Sequence, residues 1–549
     1  MAWATWTLPG SVRDDRRPVV VKVRGEENMK YVRRVATNLI LSIMLLICYG
    51  ASPVALTDTV ITASASPAPR EGIERTTELV PATIAVEPVT AAPSIGDDSL
   101  LAHLAEATWS YLSSDWATDN HLPWSWRMEA SSEGSYANTA EIGFYALSWL
   151  AAYDYQQAWS PSWAETEAEV SAVLDQLRAW QTGSQQPQPN GPNAYQNSVF
   201  YQWYWISWDP PVVGAGDANH VVPSIDNAWL AACLITIREY ASASGYSTLA
   251  QQADDILGDM NFLLWYHADT HLFSWGANED PQGGGPADTY SNENRIINFV
   301  ARALGQLSAE EFRLSLEALI QSAKAYGSIT VEKVAWDGSY FTYTSPALFI
   351  REVDTSYGPG TIVPATEAQI AYAQDQGYEA WGLSDCFDVG AGGYVQQGAP
   401  PADKPPPLED RPGLVTPHAS ALALITPLAP EAISNLQIIS DTYECAFDAA
   451  YGFRDSVMVN PPAPDYGQCS DRFSALGQEW LFLALMNYET GFIWEYFYQD
   501  PGVLVAHIEM YGEHQVYLPI ILRSSASLAP VQAGTPGERA EFTEAGGGP

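Results

Sequence analysis

Two kinds of apolar segment alternate between about residues 98 and 500, and this alternation restricts the fold more than any other feature of the chain. In 163–181, Val170, Val173, Leu174, Leu177 and Trp180 fall on one stripe with Glu and Gln opposite. Segment 308–324 opens with Ser308 and Glu311 at capping-box spacing, and Phe312, Leu316, Leu319 and Ile320 then form one apolar face. Pro430 stands where a helix carrying Ile433, Leu436 and Ile439 would begin. By contrast, 139–153, 224–240, 414–427 and 474–488 are apolar nearly all round. A helix apolar on every side must be buried on every side. One-faced helices alternating with such helices describe two concentric rings. The pattern predicts a mainly all-α chain, an (α/α)6 toroid or barrel of roughly eleven or twelve helices with short β-hairpin excursions. No repeat of solenoid length is visible.

The buried-type helices share polar or acidic residues at their starts: Asn138 to Glu141, Ser224 to Asp226, Ser291 to Glu293, and Thr416 to His418. Inner helices of a toroid run the same way, so these starts should meet at one mouth, where a cleft is expected. Each start, taken singly, is also an ordinary N-cap.

Charge restricts what could enter such a cleft. Lys and Arg total 25 against 65 Asp and Glu, a formal charge of −40. That field disfavours nucleic acid, polyuronates and anionic membranes, and leaves uncharged partners unaffected. The 20 Trp and 29 Tyr provide flat rings for sugar faces, although most must fill the core. No CxxC pair, Cys/His cluster, phosphate loop or Ser-His-Asp elbow is present, so neither metal nor cofactor is expected.

The ends read as address and tail. Basic KYVRR (30–34), an apolar run (35–48) and small residues (50–55) form an export signal, with Met29 as the expected start. An uncleaved anchor is the alternative. The domains expected are therefore an N-terminal extension with signal (1–55), a Pro/Ala/Thr-rich linker (56–97), the helical domain (98–500) and a tail (501–549) containing apolar VYLPIILR. An extracytoplasmic, monomeric protein follows, in which Cys445 and Cys469 could bond.

NTAEIGFYALSWLAAYD (138–154), FYQWYWISWD with VVPSIDNAWLAACL (200–209, 221–234), WGLSDCFDVGAGGY (381–394), TPHASALAL (416–424), YGFRDSV (451–457) and GQEWLFLALMNYETGFIW (477–494) occur in that order. Together they resemble the glucoamylase-like family that includes bacterial endo-β-1,2-glucanases and the helical domains of cyclic β-1,2-glucan synthases. The resemblance implies an (α/α)6 barrel that hydrolyses glucans with inversion. It departs at Trp229, where glucanases of this group carry a further carboxylate one turn after the Asp226 position. The linkage cleaved therefore stays open.

Inversion needs a protonated carboxyl on one side of the anomeric carbon and an ionised one on the other, about 6.5–9.5 Å apart. Glu293, opening an apolar helix after a Gly-rich loop, is the expected acid; Arg295 could pair with it and lower its pKa. Asp455 is the expected base and Asp385 its rival. Asp226, Glu141 and His418 are expected to meet sugar hydroxyls, with Asp226 alternatively capping its own helix. Trp203, Trp205, Trp229, Trp381 and Tyr394 are the candidate sugar-contacting aromatics, and in a strand only alternate rings of the FYQWYWISW run can share a face. Two other readings remain: a glycan-binding surface protein with a degenerate site, and a polysaccharide lyase on the same toroid.

Overall fold

The computed structural model describes residues 100–128, 136–184, 192–214 and 220–512. All lie in the second of two compact units, 82–549. The signal-like segment, the linker, Met29, Cys48 and VYLPIILR fall outside the described residues.

Helices alternate between an outer and an inner layer along the chain. The pairs are α1 (Leu100–Leu112) and α2 (Thr139–Tyr155), α3 (Trp163–Thr182) and α4 (Ser224–Ser244), α5 (Ser247–Asp259) and α6 (Asn294–Ala303). They continue with α7 (Ala309–Ala318) and α8 (Tyr340–Thr344), α9 (Val363–Gln376) and α10 (Pro417–Ala423), α11 (Ala429–Thr442) and α12 (Ala475–Thr490). Successive even-numbered helices other than α6 and α8 pack against one another, and α12 packs back on α2. Between α6 and α8 the ring is closed by Arg295, which donates to the carbonyls of Thr342 and Tyr343 at 3.0 and 2.7 Å. The fold is an (α/α)6 barrel.

Burial follows the two hydrophobic patterns. Helix α3 buries Val170, Val173, Leu174, Leu177 and Trp180, the stripe legible in its sequence. It starts at a Ser162–Glu165 capping box and stops at Gly183, whose φ of 63° suits a residue without Cβ. Helices α2, α4 and α12 are buried almost throughout. At Gly143 of α2 an added Cβ would lie 3.1 Å from Leu230, so this glycine sets how closely α2 and α4 approach.

Some expectations need correction. Helix α7 has the expected Ser308–Glu311 cap but ends at Ala318, and Ile320 is 47% exposed. The backbone turns there because Ile320 pairs with the chain before α6, its N–H donating to the Asp288 carbonyl at 2.6 Å and its carbonyl accepting from the Tyr290 N–H at 3.0 Å. The helical body also continues past residue 500. Helices α13 (Phe492–Phe497) and α14 (Pro501–Tyr511) pack on the inner layer, and Tyr511 donates to the buried Glu352 at 2.6 Å. Cys445 and Cys469 are bonded; Cys233 and Cys386 are buried thiols.

The ends of the barrel differ. At one end Phe497 of α13 packs on Phe299 and Phe349, with centroids 6.0 and 5.5 Å apart, while Trp494 Nε1 donates to the Ala347 carbonyl at 2.9 Å. That end is sealed with rings. At the other end lie the N-termini of the inner helices and several short hairpins. One three-stranded sheet there, β1 (Tyr136–Asn138), β2 (Trp203–Trp205) and β3 (Val212–Val213), leads directly into α2. Among the described residues no helix is long and apolar enough to cross a membrane.

Candidate active site

The inner-helix starts gather carboxyl groups into one cleft. Glu141 belongs to the first turn of α2, Asp226 to that of α4, and Glu293 occupies the N-cap position of α6. Each feels the next: Asp226 raises the pKa of both Glu141 and Glu293, and Glu293 in turn raises that of Asp385. Asp337, which sequence reasoning missed, raises both Glu293 and Asp385.

Glu293 makes no capping bond to its own helix. Its Oε1 instead accepts from Trp229 Nε1 at 3.0 Å. Trp229, expected as a sugar contact, is only 2% exposed and forms the floor of the cleft with Phe144 and Phe349, at centroid distances of 5.6 and 5.9 Å. Withdrawal from water over this floor pushes Glu293 up to about 8, so it is protonated at neutral pH. Arg295 does not pair with it. Its guanidinium is fully buried in a bidentate pair with Glu352, at 2.6 and 2.9 Å, and only a weak attraction reaches Glu293.

Across the ring, Asp455 stands beside the first turn of α12. Its Oδ2 accepts from the Phe387 N–H at 2.6 Å and it is also bonded to Ser474, while Arg472 attracts it. Burial raises it and these partners lower it, leaving it pushed up to about 6. Gly477 makes the approach feasible, because a Cβ there would sit 3.2 Å from Asp455 Oδ1 and 3.5 Å from His418 Nδ1. Asp455, His418, Ser474 and Gly477 line a small cavity with room for about one water. His418 is 4% exposed, accepts or donates to the Ser384 hydroxyl at 3.1 Å, and burial holds it neutral with a pKa down at about 3. It braces the wall beside Asp455 and does not face open cleft.

Asp385 and Asp337 form a second pair. Ser339 ties them together: its N–H donates to Asp337 Oδ1 at 3.0 Å and its Oγ accepts from the Asp385 N–H at 3.1 Å. Asp385 Oδ1 further accepts from the Gln397 N–H at 2.8 Å. Burial and mutual repulsion hold Asp385 well above the usual carboxylate range.

The remaining residues divide between cleft and core. Asp226 does not cap α4; Pro223 holds the cap position, and the Asp226 carboxyl is bonded to the Asn138 side chain and pushed up to about 6. Glu141 is spent on structure: it accepts from the Asn138 N–H at 2.8 Å and from the Ser125 hydroxyl, and burial pushes it up to about 7. Trp203 and Trp205 share the half-buried face of β2, edge-on to Tyr136 at 5.1 and 6.1 Å, whereas Tyr204 points inward and stacks on Trp180 at 3.8 Å. Trp381 is a wall residue, not a platform: 7% exposed, it packs edge-on against Tyr340 at 6.0 Å. Tyr394 is 59% exposed on a hairpin beside Phe387. Among the described residues no group of His, Cys, Asp and Glu is arranged to hold a metal ion.

Comparison with known proteins places this geometry. Residues 289–501 match the family model described as putative glucoamylase. No curated protein matches in sequence. Among solved structures, an endo-β-1,2-glucanase from Chitinophaga pinensis, in complex with sophorotriose and glucose, superposes with a TM-score of 0.61 at 16% identity, over 76% of this chain and 99% of that one. A putative glucoamylase from Bacteroides fragilis gives 0.61 at 18% identity, over 77% and 99%. An endo-β-1,2-glucanase mutant from Talaromyces funiculosus, bound to β-1,2-glucan, gives 0.57 at 12% identity, over 75% and 89%. The chain thus shares the (α/α)-barrel fold of these proteins, and over 289–501 it carries the sequence pattern of the glucoamylase-like family that its ordered motifs resemble.

Proposed function

We propose that the protein is a glycoside hydrolase that cleaves a neutral glucan by inversion, with Glu293 as the general acid and Asp455 as the general base. The observation that carries this is the split between two buried carboxyls on facing walls of one cleft, Glu293 pushed up to about 8 and Asp455 to about 6. Near pH 7 the first holds its proton for the leaving oxygen, and the second is ionised and can draw a proton from water. Asp385 is the weaker choice for the base, because burial and the repulsion of Asp337 both disfavour its ionised form. The β-1,2 linkage is the first to try, since the structural neighbours include enzymes named for it.

Export is part of the same reading, supported by the signal-like segment 30–55 and the Cys445–Cys469 bond. A uronate lyase fits less well. The arginine nearest Glu293 in sequence is locked in a buried ion pair, which leaves it unable to neutralise a substrate carboxylate.

The test is to incubate the purified protein with neutral glucans, β-1,2-glucan first, and follow reducing ends beside a Glu293→Gln control. New ends from wild type but not the variant support the assignment. Binding without cleavage of any glucan would replace it with the glycan-binding reading.

A further inference from the structure

The turn at 331–339 carries two residues that the acid/base chemistry does not use. Trp336 is 46% exposed, unusual for so large an apolar side chain, and stacks on no other aromatic ring among the described residues. Its backbone is fixed. The Trp336 N–H donates to Asn292 Oδ1 at 3.0 Å, so the ring is tied to the residue directly before Glu293. Asp337, the next residue, stands close enough to Glu293 and Asp385 to raise both. Its Oδ1 accepts from the Ser339 N–H at 3.0 Å, its own backbone N–H also bonds the carboxyl, and burial raises its pKa.

The chain behind this turn is braced as well. Loop 395–412 runs along it: the Lys404 N–H donates to the Trp336 carbonyl at 2.5 Å, Asp403 N–H to Ala335 at 3.0 Å, and Ala399 N–H to Gly338 at 3.1 Å. At Gly338 (φ 77°) a Cβ would fall 2.1 Å from the Ala399 carbonyl oxygen, so the two backbones meet where no side chain fits. Gln397 bonds to Asp385 at 2.8 Å, and Arg411 pins the loop's end to Asp388 and Asp465. An exposed aromatic ring would ordinarily be costly to hold in water. Here it is held by a rigid backbone and has the Asp337 carboxyl beside it in sequence.

A pyranose presents a flat apolar C–H face and a rim of hydroxyl donors. An indole face covers the first and a carboxyl oxygen accepts from the second. We infer that Trp336 and Asp337 form a sugar-binding subsite next to the general acid, with the indole stacking on one neutral hexopyranose unit and the Asp337 oxygen accepting from its hydroxyls. The inference rests on the glycoside hydrolase reading and deepens it by assigning residues that select the substrate.

The two residues make different contributions. Stacking on Trp336 is present in ground and transition states alike, so its loss raises KM more than it lowers kcat. Asp337 also acts on Glu293, whose pKa it raises. Neutralising it removes a repulsion that keeps the Glu293 proton in place, so the alkaline limb of the pH–rate profile moves down.

Trp336→Ala and Asp337→Asn are both mild at the level of folding, one partly exposed and the other isosteric. Steady-state kinetics of each on β-1,2-glucan, or on whichever neutral glucan wild type cleaves, is the experiment. Calorimetric titration of the Glu293→Gln protein with oligosaccharides of that glucan, with and without Trp336→Ala, accompanies it. Trp336→Ala should raise KM and weaken binding about 3- to 10-fold with kcat within about 2-fold. Asp337→Asn should lower kcat/KM and shift the alkaline limb downward. An active wild type whose KM, binding and pH limb are untouched by both changes would overturn the subsite and leave the hydrolase reading standing. A protein that neither cleaves nor binds any neutral glucan overturns both.

Discussion

On one wall of the cleft Glu293 lies over Phe144, Trp229 and Phe349 with a single indole N–H as its partner; on the other, Asp455 receives a backbone N–H at 2.6 Å, a serine hydroxyl and the attraction of Arg472. Both carboxyls are withdrawn from water. What separates them is the balance of their neighbours. One donor and a distant cation, set against the repulsion of Asp226 and Asp337, leave Glu293 near 8, while two donors and a cation with no opposing carboxylate bring Asp455 to about 6. Burial alone therefore does not make an acid or a base. The partners that each wall supplies decide which it becomes.

The largest effects should come from removing the two groups themselves. Glu293→Gln should lower kcat by at least about 10³-fold and Asp455→Asn by about 10²- to 10⁴-fold, measured by reducing-end release. If the walls act as a pair, the double variant should lose little more than the worse single one, because neither group works without the other. Additive losses would show that the walls act independently and would break the comparison.

The walls were not equally legible in the sequence. Glu293 announced itself through position, a carboxylate opening an apolar helix after a glycine-rich loop. The ring of inner helices was legible for the same reason, since period and burial are written in every turn of 139–153, 224–240 and 474–488. Asp455 is placed ahead of Asp385 from sequence, but the physical reason for that order is not written near either residue. The difference rests on Ser474, the Phe387 N–H and Ser339, which are distant in sequence from at least one carboxylate they serve and meet it only in the fold. Trp229 and Trp381 were ambiguous for a related reason: an aromatic in a buried helix or beside one reads the same whether it faces sugar or core. Asp337 and Trp336 sit at an Asp-Gly step, which in sequence marks a turn and nothing more. An exposed indole beside a carboxylate was the only hint there, and exposure is not a property of sequence.

The split also fixes the pH response. With the base at about 6 and the acid at about 8, kcat/KM should rise through pH 6, plateau near 7 and fall through 8. Stability should run against this. Glu293 keeps its proton in the folded state up to about 8, while the unfolded chain releases it near 4.5. The folded state therefore binds more protons across that window, and its stability falls as pH rises from about 4.5 to 8. Glu293→Gln removes the penalty, so its gain in Tm over wild type should be a few degrees at pH 8 and near zero at pH 4.5, read by thermal unfolding at both values. An equal gain at both would mean that the Glu293 pKa is not raised.

The smallest effects test the partners. Ser474→Ala removes a donor from Asp455, which favours the neutral form and moves the acid limb up toward 7. Trp229→Phe removes the only side-chain donor found on Glu293, which moves the alkaline limb up from 8 and keeps the floor apolar. Both substitutions raise a pKa, yet their consequences are opposite. The first narrows the working range from below and the second widens it from above, each by less than about one unit. A donor lost from the base side thus costs activity near neutral pH, while one lost from the acid side costs almost none there. If Ser474→Ala moved the alkaline limb, or Trp229→Phe the acid one, the two carboxyls would be exchanging roles. The proton donor would then have to be sought on the wall of α12, not that of α6.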